Sequence, residues 1–233
     1  MNDNSISLNK FISSTGICSR READKWIDDG RVKINGTIGQ KGNRVEANDA
    51  VMIDGELLQS KPKLVYIVLN KPPGITCTTD LKDKTNIVDF VHHKERVFPI
   101  GRLDKPSTGL ILLTNDGDIV NKILRAENNH EKEYIVTVNK LLTKTFLRKM
   151  QKGVPILDTL TQKCKIKQLS ETTFKIILTQ GLNRQIRRMC DYFDYQVLTL
   201  NRVRIMNIHL KDLPVGEWRD LTINELAALQ ENL

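Results

Sequence analysis

Gly101-Arg102-Leu103-Asp104-Lys105-Pro106-Ser107-Thr108-Gly109-Leu110-Ile111-Leu112-Leu113 is the stretch on which the reading of this chain turns. Its second half is a continuous apolar run that reads as a buried strand, and the first half is rich in turn formers. An acidic residue, Asp104, therefore stands two positions from Arg102 in a loop held by a rigid element. Loops carried on such scaffolds are favoured places for reactive groups. Two readings stay open on local grounds: Asp104 is a positioned carboxylate, or it is an ordinary turn residue. Asn115-Asp116-Gly117 ends the run.

The 233-residue chain is long enough to bury a proper core without disulfides or metals. Its 27% charged and 39% hydrophobic residues exclude a disordered protein. Cys18, Cys77, Cys164 and Cys190 are scattered with no Cys-x-x-Cys pair, which argues against a zinc site or disulfide framework and for a reducing cytoplasm. No apolar run approaches the length of a membrane span, and the first residues lack the pattern of a signal peptide, so no membrane partner is expected. The formal net charge of +8 points instead to a polyanion, with nucleic acid first.

Residues 8 to 58 read as a unit of their own. Leu8, Phe11 and Ile12 recur at helical spacing up to Gly16, and Ser19-Arg20-Arg21-Glu22 has the form of a capping box, so a second helix should start there with Ala23, Trp26 and Ile27 buried. Gly30 should stop it. Val32-Lys33-Ile34 runs into the tight-turn pair Asn35-Gly36, and Val51 to Leu58 signals another hairpin around Asp54-Gly55. Lys10, Arg20, Arg21, Lys25 and Arg31 give this unit a basic surface, either a solvated face or a set of phosphate contacts.

Gln59-Ser60-Lys61-Pro62-Lys63 has linker composition, which divides the chain into residues 1–60 and 61–233. Beyond it, strand-like runs occur at 64–69, 109–114, 133–138, 164–169, 174–178 and 197–208, with helical patterns at 87–91, 118–124, 143–150 and 183–193. This mixture predicts an α+β domain on an extended, largely antiparallel sheet flanked by helices.

Three further segments carry chemistry. In Lys132-Glu133-Tyr134-Ile135-Val136-Thr137-Val138, alternation places Tyr134 with Val136 and Val138 on one strand face. Tyr134 is then a core ring, or a ring that stacks on an extruded base. In Asn183-Arg184-Gln185-Ile186-Arg187-Arg188-Met189-Cys190, Ile186, Met189, Cys190 and Phe193 form the buried stripe of a helix. Arg184 and Arg188 point away from it, and Arg187 at its edge can reach an interior carboxylate. In Leu200-Asn201-Arg202-Val203-Arg204, alternation puts Leu200, Arg202 and Arg204 on one face, suited to a nucleic-acid groove or to a charged sheet edge.

The order of two short helices and a hairpin, with Leu8-Asn9-Lys10-Phe11, Ser19-Arg20-Arg21-Glu22-Ala23 and Gly30-Arg31-Val32-Lys33-Ile34-Asn35-Gly36, resembles the S4 RNA-binding module. Gly101-Arg102-Leu103-Asp104, Thr108-Gly109-Leu110, Lys132-Glu133-Tyr134 and the segment Gly181 to Met189 resemble the RsuA/RluB/RluE/RluF family of pseudouridine synthases in order and spacing. Gly153-Val154-Pro155-Ile156, Arg204-Ile205-Met206-Asn207 and Gly216-Glu217-Trp218-Arg219-Asp220-Leu221 look most like the RluF branch. Pro106 departs from the acidic or polar residue usual at that place.

The resemblance implies isomerisation of uridine to pseudouridine in RNA, at an RluF-type site of 23S rRNA, uridine 2604, in free RNA or an assembling large subunit, with tRNA open as a second substrate. It implies no cofactor or metal and a monomeric enzyme. Asp104 would be the essential carboxylate, by a nucleophilic or a glycal route. Arg187 would pair with it, Tyr134 would stack on the base and assist removal of the carbon 5 proton, and Leu200 would wall the base. Arg102 would fill the vacated stack or grip the backbone, while Arg184, Arg188 and Arg202 would bind phosphates. A non-catalytic RNA-binding assembly factor would have lost at least one of Asp104, Tyr134 and Arg187. An S4-bearing enzyme of other chemistry would need a phosphate-cradling loop, and Lys71-Pro72-Pro73-Gly74 is a rigid turn instead.

Overall fold

The computed structural model describes residues 5–58, 62–125 and 129–233. They form two compact units that divide at Val65 and Tyr66, with His93–Arg96 and Asn115–Gly117 grouped with the first. Gln59, Ser60 and Lys61, where the linker was expected, lie outside the described residues.

The first unit runs β1 (Ile6–Ser7), α1 (Leu8–Ser14), α2 (Arg20–Asp28), β2 (Val32–Ile34), β3 (Thr37–Ile38), β4 (Arg44–Val45), β5 (Val51–Ile53) and β6 (Glu56–Leu57). The Ser19 side chain accepts from the Glu22 N–H while Glu22 accepts from the Ser19 N–H, so α2 starts at its capping box. Asn35 (φ 50°) with Gly36 (φ 84°), and Asp54 (φ 54°) with Gly55 (φ 90°), make the two tight turns. Leu8, Ile12, Ala23, Ile27, Val32, Val45 and Val51 bury against one another as a small core.

The second unit contains β7 (Tyr66–Lys71), α3 (Ile87–Val91), β8 (Phe98–Ile100), β9 (Thr108–Thr114), α4 (Gly117–Leu124), β10 (Lys132–Val138), α5 (Lys144–Lys152), β11 (Pro155–Ile156) and β12 (Thr159–Leu160). It continues through β13 (Lys165–Gln168), β14 (Thr173–Leu178), α6 (Gln185–Asp191), β15 (Val197–Ile205), β16 (Ile208–His209), β17 (Trp218–Asp220) and α7 (Ile223–Glu231). Its nine-stranded sheet has the order β13-β14-β10-β15-β9-β7-β17, with β16 on β15 and β8 on β9. All pairings are antiparallel except β15 with β9. The mixed α+β architecture is therefore present as expected.

The strand after Asp104 is buried along nearly its whole length, as its apolar run required. Leu110 and Leu112 face a core with α4, α7 and β16, while Val136, Phe174, Ile176 and Leu200 face a second core under α5 and α6. Each such side chain contributes roughly 1.5–3 kcal/mol by leaving water. Among the described residues no helix is long and apolar enough to cross a membrane.

Three expectations need correction. The run 197–208 is two strands, because Met206 adopts φ 50° and turns β16 back onto β15. Arg202 and Arg204 do not share a face: Glu133 pairs with Arg204 and Tyr134 with Arg202, so Val203 is the extra residue of a β-bulge. The helix expected from Asn183 begins at Gln185, since Arg184 is held at φ 50° as its cap. The C-terminal helix α7 went unpredicted, although Thr222 and Glu225 form a capping box of the same type as that of α2.

Candidate active site

β7 pairs with β9 from Lys71 against Gly109 to Tyr66 against Thr114, occupying one whole side of β9. On the other side β8 takes Leu112–Thr114, and β15 takes Thr108 and Gly109. The loop 101–107 joins β8 to β9 where that side changes partner, and this sets Asp104 in the same cleft as Leu200. Gly109 is required there: at φ 103°, a Cβ would lie 2.2 Å from Asn201 Oδ1 and 2.3 Å from the Arg202 carbonyl oxygen.

Asp104, Tyr134, Arg187 and Leu200 line one cleft, whose rim includes Arg102, Arg184 and Gln180. Arg187 Nε lies 3.6 Å from Asp104 Oδ2. That guanidinium is fixed by Nη1 donating to the Val197 carbonyl (3.2 Å) and Nη2 donating to Ser107 Oγ (3.2 Å). Ser107 was not anticipated; its only sequence signal is its place three residues after Asp104, where its N–H closes a turn onto the Asp104 carbonyl. Pro106 sits exposed in that turn. Lys71, fully buried, donates to the carbonyls of Pro72, Ile75 and Lys105 and so ties the Asp104 loop from beneath. Burial lowers its pKa from the ordinary lysine value.

Arg184 is exposed with Nη1 3.8 Å from Asp104 Oδ2, and Arg102 is exposed. Arg188 donates to the carbonyl and side chain of Asn183, fastening the approach to α6. The reading of Arg202 as a phosphate contact is corrected, for its side chain is buried and cannot meet a backbone outside the protein. Nε donates to the Leu110 carbonyl (2.7 Å), Nη2 is buried without a hydrogen-bond partner among the described residues, and the guanidinium lies 5.9 Å from the Tyr134 ring centre. Arg204 is on the opposite face, bound to Glu131 (2.8 Å) and Glu133 (3.1 Å).

In the first unit Arg20, Arg21 and Lys25 are exposed on α2 and Lys10 is half-buried on α1. Arg31 is engaged by both carboxylate oxygens of Asp54 and lies over Trp26. Among the described residues no group of three His, Cys, Asp or Glu could hold a metal ion, and the four cysteines are unpaired.

The RNA pseudouridylate synthase family model matches residues 65–192, and the S4 domain model matches residues 7–51. The dual-specificity RNA pseudouridine synthase RluF of Escherichia coli K12 is 57% identical over 229 residues, covering 97% of this chain and 79% of that protein. The ribosomal large subunit pseudouridine synthase B of Bacillus subtilis is 34% identical, with 96% and 95% covered. A crystal structure of a pseudouridylate synthase superposes with a TM-score of 0.72 at 30% identity, covering 97% of this chain and all of that one. With a synthase-family match over more than half of its length, an S4 match before it and a 57% identical relative covered to 79%, the chain belongs to the RsuA/RluB/RluE/RluF family of RNA pseudouridine synthases.

Proposed function

We propose that this enzyme isomerises one uridine of 23S rRNA, at the RluF-type site, with the substrate base turned out of its stack into the Asp104 cleft. The observation that carries this reading is the convergence of Asp104, Tyr134 and Arg187, from three separate segments, on one opening. Asp104 acts on the sugar as the C1′–N1 bond breaks, by nucleophilic attack or as the base of a glycal route. The uracil turns while held between Tyr134 and Leu200, C1′ joins C5, the C5 proton leaves with the aid of the Tyr134 hydroxyl or a water beside it, and N1, freed from the sugar, takes up a proton from solvent in exchange. Substrate and product are isomers, so no electrons enter or leave.

Arg187 keeps Asp104 aimed, and Arg184 and Arg102 meet the RNA at the rim. The unit 1–60 is the RNA-binding domain, using Arg20, Arg21 and Lys25 against phosphates with Lys10 beside them; residues 61–233 are the catalytic domain, and the enzyme works as a monomer in the cytoplasm. The test is Asp104→Asn: tritium release from carbon 5 of labelled 23S rRNA should vanish with RNA binding intact, and full turnover by that variant would remove Asp104 from the chemistry. Carbodiimide mapping in cells lacking the protein should lose a 23S signal. A loss confined to tRNA or to 16S rRNA would overturn the target.

A further inference from the structure

Between Lys140 and Lys167 the chain carries eight Lys or Arg and one acid, Asp158, a net +7 in a protein whose total is +8. All eight are exposed. Six of them lie on two adjoining elements at one margin of the large sheet, and Lys140 and Lys163 shortly precede each element. Helix α5 packs Phe146 and Met150 into the core and presents Lys144, Arg148 and Lys152 at i, i+4 and i+8. Edge strand β13 follows Lys163 and adds Lys165 and Lys167. Gln151 joins the two elements, donating to the Ile166 carbonyl (3.0 Å) and accepting from the Cys164 N–H (3.1 Å).

Some of these cations have local duties: Lys165 pairs with Glu131, and Lys149 and Lys140 lie over the Phe193 and Tyr195 rings. Lys144, Arg148, Lys152, Lys163 and Lys167 have no ion-pair partner among the described residues. Lysines on β13 would guard an exposed sheet edge against pairing. That purpose does not account for the row on α5, where like charges four residues apart destabilise the helix. A stripe of cations maintained against its own repulsion fits a polyanion.

The margin also reaches the cleft. Gln180, at the cleft rim, accepts from the Gln162 N–H (3.1 Å), and Thr179 donates to the Gln162 side chain (2.9 Å). Lys163 is therefore the next residue along from the opening. We infer that α5 and the Lys163–Lys167 segment form a second RNA-docking face, which grips backbone phosphates of an RNA arm leading away from the target uridine. The inference rests on RNA being the substrate. It adds to the S4 surface a contact made by the catalytic unit itself.

The experiment uses the full chain with Lys144→Gln, Arg148→Gln, Lys163→Gln and Lys167→Gln combined, none of which touches the cleft chemistry. Filter binding to an rRNA fragment that extends beyond the target loop should weaken at least tenfold. The slope of log affinity against log salt should fall by about 3–4, at roughly 0.7–0.9 per phosphate contact. kcat at saturating RNA should hold, and the same four positions as arginine (Lys144→Arg, Lys163→Arg, Lys167→Arg with Arg148 kept) should retain the slope. Unchanged affinity and slope in the glutamine variant overturn the docking face. A lost slope with no pseudouridine made even by the parent protein overturns the isomerase reading and leaves the docking face standing.

Discussion

Arg187 Nε lies 3.6 Å from Asp104 Oδ2, and among the described residues that buried N–H has no hydrogen-bond partner, although the other two nitrogens of the same guanidinium are bonded to Val197 and Ser107. If Asp104 acts as proposed, a preformed fork with one prong left open beside the carboxylate would shorten its contact as charge shifts in the reaction. Apo sites often hold such contacts long until substrate arrives.

Arg187→Lys keeps the charge and loses the fork. It should lower kcat by about 10²–10³, the usual loss for a preorganised donor at a reacting group. RNA affinity should stay near that of the parent, because Arg187 is nearly enclosed. Single-turnover tritium release at saturating RNA reads the effect, and a pure KM change would contradict it.

Tyr134→Phe preserves the ring that packs beside Leu200 and removes the hydroxyl. If the hydroxyl helps to move the carbon 5 proton, turnover should drop by about 10²–10⁴ with little change in binding. Tyr134→Ala should cost binding as well. Equal turnover by the Phe variant and the parent would leave stacking as the ring's whole role.

Arg202→Met should separate stability from activity. A buried cation with no carboxylate partner among the described residues is costly, so an apolar side chain of similar length should leave the melting temperature unchanged or raise it. Loss of the cation beside the Tyr134 ring should reduce kcat by about 2–30-fold, the equivalent of about 0.5–2 kcal/mol. A thermal melt alongside steady-state kinetics checks both, and a strongly lowered melting temperature would mark Arg202 as structural.

Gly109→Ala forces a Cβ into the backbone of Arg202 at a φ that side chains avoid. Relieving the clash must part β9 from β15, so the variant should lose about 2–4 kcal/mol of stability, within the range of strained-backbone and overpacking changes. The urea midpoint measures it. A midpoint equal to the parent's would mean that the close approach is not maintained.

Glu225 anchors α7 by accepting from both Nη atoms of Arg219 (2.7 and 2.9 Å) and from the Thr222 N–H (3.0 Å). The Arg219 hydrogen bonds are the largest cause that pulls its carboxyl from 4.5 to about 2. The folded-state value is the lower one, so the stabilisation is complete above about pH 4.5 and disappears as pH falls towards 2. Glu225→Gln should therefore cost roughly 2–3 kcal/mol at pH 7 and progressively less below pH 4.5, a difference that denaturant curves at several pH values would show.

Local chemistry made much of this protein legible from its sequence. The capping box at Ser19, the turn pairs Asn35-Gly36 and Asp54-Gly55, the buried run after Gly109 and the apolar stripe of α6 all depend on neighbours within a few residues, and all occur where expected. Asp104, Tyr134 and Arg187 stood out as candidates on a loop, a strand and a helix edge, but their roles and that of Leu200 came from the resemblance of their motifs to a known family. The Thr222–Glu225 box is an equally local signal, and it starts α7 in the same way.

What strict alternation could not reveal was the extra residue at Val203, because a bulge arises from pairing between β10 and β15, strands some sixty residues apart in the chain. That single residue sends Arg204 to the carboxylates of one face and leaves Arg202 buried near Tyr134 on the other. The role of Ser107 and the change of partner along β9 likewise exist only once distant strands meet. Helices, strands and tight turns were legible in the chain because they follow from local periodicity and turn chemistry, whereas the roles of the candidate site residues came from the order and spacing of motifs resembling a known family. Tertiary structure decided which of the arginines face Asp104, the ring or the solvent, since strand register and burial are set by contacts far apart in the chain.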